Sequence, residues 1–170
     1  MRELSTTGAA APTPDGFRGV MGRFVTGVTI MTTRHEDTPH GMTANAVTSV
    51  SLEPLLVLVS VERSTVMAEQ VAAAGAFALS FLAADQGELS DRFADPERPL
   101  GAAQFEGLEL GEAVTGSPIL RHGLGWLDCR VYAVHDGGDH LLVLGEVVDL
   151  AEGDADDPLL YYRGGYRELR

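Results

Sequence analysis

The sequence predicts a mainly β chain, folded as an antiparallel barrel with a few short peripheral helices. Strand-like apolar runs follow one another and do not alternate with helices, which argues against a βαβ, parallel nucleotide-binding sheet. Asp136-Gly137-Gly138-Asp139, between two long strand-like segments, is strong hairpin turn chemistry. The helical patterns that do occur are short.

The elements follow in order. Phe17, Val20, Met21 and Phe24 are spaced i, i+3, i+4, i+7, with Thr13 able to cap and Pro14 suited to the first helical position. They predict a helix over residues 14–24, stopped near Gly27. Val28 to Thr33 reads as a strand, His35 to Pro39 as a turn, and His40 to Ser51 as the return strand, broken by Leu52-Glu53-Pro54. Leu55 to Val61 is almost wholly apolar, so both its faces are expected to be covered. Ser64 to Ala74 predicts a second helix ended by Gly75 in the left-handed conformation, and Ala76 to Leu82 a strand. Asp85 and Glu88 resemble a capping box opening a third helix with Leu89 and Phe93. Asp95 to Gly107 reads as loop. Leu124 to His135 and His140 to Leu150 are the long hairpin strands, and Leu159 to Tyr166 is a final short strand and turn. The total is about seven strands and three helices.

Composition narrows the function. A chain of 170 residues, 45% hydrophobic with 20 glycines, suits one domain. That domain is expected over residues 14–170, after a flexible segment at 1–13 that lacks the pattern of a secretory signal. No apolar run approaches the roughly 18 residues of a membrane span. The single cysteine, Cys129, excludes an intrachain disulfide and a thiolate metal cluster, and points to the cytoplasm. It reads as a buried inert thiol, and Trp126 on the same run as core. Formal charge is −13, and every basic residue is Arg. That charge argues against non-specific binding to nucleic acid or an anionic membrane. A phosphorylated ligand would need a few arginines to build a local positive site.

Several chemistries lack their residues. The chain has no G-x-G-x-x-G, no Walker loop (it has no lysine) and no G-x-S-x-G. His35 and His40 stand five apart across Pro39, a poor metal geometry, and no metal site is expected. The most informative stretch is His40 to Ser51. Its residues after Met42 are small and mostly polar, leaving backbone groups approachable by a flat, polar-edged ligand. The bland alternative is an edge strand with a solvated face.

An ordered set of pieces resembles the flavin reductase-like family, the short-chain NAD(P)H:flavin oxidoreductases of two-component monooxygenases. The pieces are Phe24-Val25-Thr26-Gly27-Val28-Thr29, Gly41-Met42-Thr43-Ala44-Asn45, Ser49-Val50-Ser51-Leu52-Glu53-Pro54, Leu56-Val57-Leu58-Val59, Phe77-Ala78-Leu79-Ser80, Gly138-Asp139-His140, and Pro158 to Tyr166. The resemblance implies a Greek-key-like split β-barrel of the FMN-binding type that pairs as a homodimer, with flavin near the subunit interface. It implies that Thr43, Ala44, Asn45, Ala46, Val47, Thr48 and Ser49 line the flavin and that Ser51 and Leu52 close that wall. Ser60, Val61, Arg63, Ser64 and Thr65, with Glu62, form a strand-to-helix junction suited to a phosphate. Its plain alternative is a helix cap with a solvated Arg.

His140, Tyr161, Tyr162, Arg163 and Gly164 resemble the nicotinamide dinucleotide contacts, with His140 as a positioning group. Gly164-Gly165 would let backbone approach a cofactor, and Arg163 could meet a pyrophosphate. Many family members carry Ser then Phe where this chain has Ala46 and Val47. The implied activity is hydride transfer from NADH or NADPH to FMN or FAD, with a flavin-dependent monooxygenase as recipient. The alternatives are a non-catalytic flavin-binding split barrel and an enzyme of the pyridoxamine-phosphate oxidase kind.

Overall fold

A computed structural model of the chain describes residues 11–169. Residues 1–10, most of the segment expected to be flexible, lie outside the described residues. The chain opens with α1 (Pro14–Met21) and β1 (Thr26–Gly27), then β2 (Thr29–His35), β3 (Thr38–Ala44), β4 (Val47–Leu52) and β5 (Leu55–Glu62). Helix α2 (Val66–Ala74), β6 (Ala76–Phe81) and α3 (Gly87–Ala94) follow. After a 3₁₀ turn at Gly101–Phe105 come β7 (Leu110–Glu112), β8 (Pro118–Leu120), β9 (Gly125–Gly137), β10 (His140–Glu152), β11 (Leu160–Tyr162) and β12 (Gly165–Arg167).

Seven strands form one antiparallel sheet in the order β3-β2-β6-β9-β10-β5-β4. Strands β3 and β4 are consecutive in the chain yet lie at opposite edges, joined by Asn45-Ala46 alone. So short a link forces the sheet to curl until its edges meet, which makes a barrel split along the β3–β4 seam. The expected mainly β, antiparallel split barrel is therefore present. The predicted return strand is two strands, because the chain crosses from one edge to the other at Asn45.

Alternation along β5 and β10 fills the barrel. Val57, Val59, Val61 and Val143 point inward against Phe77, Leu79 and Cys129, and α2 closes one end with Met67 and Val71. At Gly145 a Cβ would stand 2.4 Å from the Phe77 ring, so only glycine fits. Burial, then the neighbouring Asp128, pushes the Cys129 thiol up to about 12, which keeps it inert. A second cluster, with Ile30, Leu82, Phe93, Phe105, Leu120 and Leu159, packs under α3 and the C-terminal strands.

The predicted caps of α1 and α2 form. The Thr13 side chain accepts from the Gly16 N–H, Pro14 is the first helical residue, and Gly75 ends α2 with φ 66°. Helix α1 stops at Gly22, earlier than expected. The capping box does not form, because Gln86 occupies the cap position of α3 and its Oε1 accepts from the Ala83 N–H at 2.8 Å. The expected loop at Asp95 to Gly107 holds the 3₁₀ turn, which drives Gln104 into the interior. There Gln104 Nε2 donates to His40 Nδ1 at 3.1 Å and its Oε1 accepts from the Gly41 N–H at 3.1 Å. His40 is 2% exposed. Burial, and after it the Arg98 guanidinium, lowers its pKa to about 4.

Two further expectations are corrected. Trp126 is half-buried and lines a cavity with Arg121 and Asp154 rather than packing in the core. The outward face of β5, with Leu56, Leu58 and Ser60, is only partly buried within one chain. No helix among the described residues is long and apolar enough to cross a membrane.

Candidate functional site

A groove of about 700 Å³ opens along the seam. Helix α1 and the following turn form one wall through Phe17, Arg18, Met21, Gly22, Phe24 and Thr26. Asn45, Ala46, Val47 and Thr48 form the other, with Leu58 and Ser60 of β5 behind them and Tyr161 and Gly164 at one end. The apolar stripe of α1 gives the reason. Its side chains Phe17 and Met21 stay exposed, at 65% and 48%, as does Phe24 in the turn after it, because they face the groove rather than the core. Among the described residues β4 pairs only with β5, so its other edge keeps free backbone groups beside the groove.

The structure brings Asn45, Ala46, Val47, Thr48, Ser60, Tyr161 and Gly164 together on this groove. Thr43 lines an adjoining bay of about 360 Å³ that shares Asn45, Tyr161 and Gly164 with the groove. Ser49 lines a second adjoining hollow with Val47, Val57 and Phe81. Ala44 and Val61 point into the core, leaving only their backbone available. Ser51 and Leu52 lie further down β4, outside the groove lining, and Leu52 is 83% exposed.

The junction after β5 is ordered by its own contacts. Arg63 Nε donates to the Gly138 carbonyl at 2.7 Å, and its guanidinium meets Asp136 at 2.9 Å. Ser64 Oγ donates to Glu62 at 2.8 Å, and the Thr65 side chain caps α2 by accepting from the Ala68 N–H. Arg63 thus ties this junction to the hairpin tip, and part of its charge is already matched. His140 pairs with Glu62 across the sheet, and its Nδ1 lies 2.8 Å from Asp139 Oδ1. That contact holds the Asp139 carboxyl below its usual range, and Arg18 adds a smaller pull from α1. His140 stands at the hairpin tip and is not among the residues lining the groove of its own chain.

Tyr161 and Tyr166 meet edge-to-face with centroids 6.0 Å apart. Tyr162 is half-buried beside them. Arg163 turns the corner with φ 52°, and its N–H donates to the Gly22 carbonyl at 2.8 Å, which fastens the C-terminal hairpin to α1. Gly164 follows at φ 76°.

Sequence reasoning missed Phe17, Arg18, Met21, Thr26 and Leu58 in the groove, and Ser90, Asp91 and Tyr166 in the bay. The signal for α1 was present as its apolar stripe, but periodicity does not say what a stripe faces.

The free strand edge, the apolar wall and the cationic side chain on α1 fit a flat ring with a charged tail. Comparisons with known proteins agree. The family model described as "Flavin reductase like domain" matches residues 21–170. The reductase subunit HsaB of a flavin-dependent monooxygenase from Mycobacterium tuberculosis is 39% identical over 155 residues, covering 90% of this chain and 81% of that protein. An NADH-dependent FAD reductase from Streptomyces globisporus is 40% identical over 154 residues, covering 89% and 84%. The crystal structure of BorF, the flavin reductase component of a bacterial two-component tryptophan halogenase, superposes with a TM-score of 0.87 at 37% identity, covering 92% of this chain and 98% of that one. The chain belongs to the flavin reductase-like family.

Proposed function

We propose that this protein transfers hydride from NADH or NADPH to FMN or FAD and passes the reduced flavin to a partner monooxygenase. The observation that carries this reading is the meeting of the free β4 edge, the apolar stripe of α1 and the Tyr161–Gly164 turn on one groove. Named relatives are NADH-dependent flavin reductases and reductase components of monooxygenases, which supports both the reaction and the class of partner.

When bound together, flavin and dihydronicotinamide supply the chemistry themselves, a hydride moving from nicotinamide C4 to flavin N5. The chain's task is placement and shielding. The backbone of residues 45–48 is suited to read the polar rim of the ring, and Phe17, Met21, Phe24 and Leu58 exclude water from its faces. Arg18 lies on the groove, and the N-terminus of α2 with Arg63, Ser64 and Thr65 lies at the strand-to-helix junction. These are the groups suited to a flavin phosphate. In this reading His140 positions the nicotinamide from the hairpin tip, and Tyr161, Tyr162, Arg163 and Gly164 hold the dinucleotide beyond it.

The working unit in this reading is a cytoplasmic homodimer. Leu56, Leu58, Leu142 and Leu144 share the outward face of β5 and β10, paired across the sheet as Leu58 with Leu144, and are only partly buried within one chain. A second copy would cover this apolar face and bring its surface to the groove, since Leu58 belongs to both. The test of the function is NADH consumption at 340 nm with and without added FMN or FAD. Consumption that requires flavin supports it, and flat absorbance with either flavin contradicts it.

A further inference from the structure

The bay beside the groove contains a charge that the flavin reading leaves unused. Asp91, exposed on α3, lines it together with Thr43, Ser90 and Tyr166. Tyr166 Oη donates to Asp91 Oδ1 at 2.7 Å and also lies 2.8 Å from Ser90 Oγ. Desolvation raises the Tyr166 pKa against the opposing Ser90 hydrogen bond, and Asp91 adds to the rise, so the phenol stays a donor. None of the described residues lining the bay is a cation. Arg92, next to Asp91, donates to the Glu106 carbonyl at 3.0 Å, and Arg167, tied to the Tyr166 carbonyl at 2.5 Å, lines a separate hollow with Ala84 and Leu159.

The bay joins the groove over Asn45, Tyr161 and Gly164, which line both. A nicotinamide ring stacked on a flavin in the groove therefore has a continuous way out for its remaining length. The pyrophosphate would pass the corner where Arg163 precedes Gly164, and the adenosine end would reach the bay. A carboxylate with a free oxygen accepts two hydroxyl protons of a ribose diol and repels a phosphate at the same place. We propose that Asp91 is the residue that selects NADH over NADPH, by accepting from the adenosine ribose hydroxyls and repelling a 2′-phosphate. This inference rests on the flavin reductase reading and adds to it the residue that chooses the donor.

The test compares the wild type with Asp91→Asn and Asp91→Arg. Calorimetry would measure binding of ADP-ribose and of 2′-phospho-ADP-ribose, and steady-state kinetics would measure kcat/KM for NADH and NADPH with flavin. The wild type is expected to favour the unphosphorylated member of each pair. Asp91→Asn, which keeps an acceptor for Tyr166 Oη, should narrow both preferences by about tenfold, and Asp91→Arg should narrow them further or reverse them. Preferences unchanged in both variants, with folding confirmed by thermal melts, would overturn the assignment. So would a wild type that consumes NADH with flavin yet binds neither fragment. A wild type that consumes neither nucleotide fails the reductase reading itself, a separate outcome.

Discussion

The Ser60 N–H donates to the Ala46 carbonyl at 3.0 Å, and the two residues stand side by side on the groove. This bond fixes the chain where it crosses from β3 to β4, so the crossing and the candidate flavin wall are one piece of structure. The Ala46 side chain is exposed toward the groove. A large residue there should obstruct a ligand without disturbing the core. Ala46→Leu is expected to weaken flavin binding about tenfold while leaving the melting temperature within a few degrees. Quenching of flavin fluorescence on titration checks the first part and a thermal melt the second.

Arg18 and Arg63 should behave differently when truncated. Arg18 has one exposed partner, Asp15 at 3.1 Å, whereas Arg63 holds the hairpin tip through Gly138 and Asp136. Arg18→Ala is expected to weaken FMN binding by roughly three- to tenfold and riboflavin binding much less, with a loss that shrinks as salt is raised. Equal losses for FMN and riboflavin would reject a phosphate role. Arg63→Ala should also lower stability, because it frees the tip.

The buried His40 gives the fold an acid-sensitive point. Its folded pKa of about 4 lies below the ordinary 6.5, so the unfolded chain takes up the proton first. The stability tied to neutral His40 is fully present above pH 6.5 and is lost as pH falls toward 4. Between pH 7 and pH 5 the loss amounts to about 2 kcal/mol. Urea denaturation at the two pH values measures it, and His40→Asn should flatten that part of the slope. An unchanged slope would assign the acid sensitivity to other groups.

Two glycines separate packing from propensity. Gly145→Ala forces a methyl against Phe77 and should cost about 1–3 kcal/mol. Gly19→Ala, inside α1 with open space around it, should be neutral or stabilise by about 0.5–1 kcal/mol. Denaturant midpoints distinguish the two.

Much of the fold was legible because it depends on local chemistry. Thr13-Pro14 starts α1, Gly75 ends α2, and Gly138-Asp139 turns the long hairpin where the glycine-rich sequence placed it. The crossing at Asn45-Ala46 was not legible, since which edge a strand joins is decided by long-range pairing. The site was half legible for the same reason. Residues 45–48 and Tyr161 to Gly164 carry their pattern in short runs. Asp91 and Tyr166, 75 positions apart, meet only because α3 packs against the C-terminal hairpin. Arg63 read as a free phosphate ligand because its partner Asp136 lies on the distant β9–β10 hairpin.

The homodimer can be tested separately from chemistry. The purified chain is expected to sediment at about twice its 18.1 kDa mass, and Leu144→Glu to yield a folded monomer with weakened flavin binding. A wild-type monomer, or a variant that stays dimeric, would contradict the placement of the interface on the outward face of β5 and β10.

The central claim is catalysis of hydride transfer to flavin, and it is tested most directly by mixing the protein, NADH and FMN or FAD without oxygen and following flavin absorbance at 450 nm. Bleaching at a rate proportional to protein concentration, slowed by Ala46→Leu, is the expected result. Flavin that binds but bleaches no faster than in a protein-free control would contradict the account and leave a flavin-binding barrel without reductase activity.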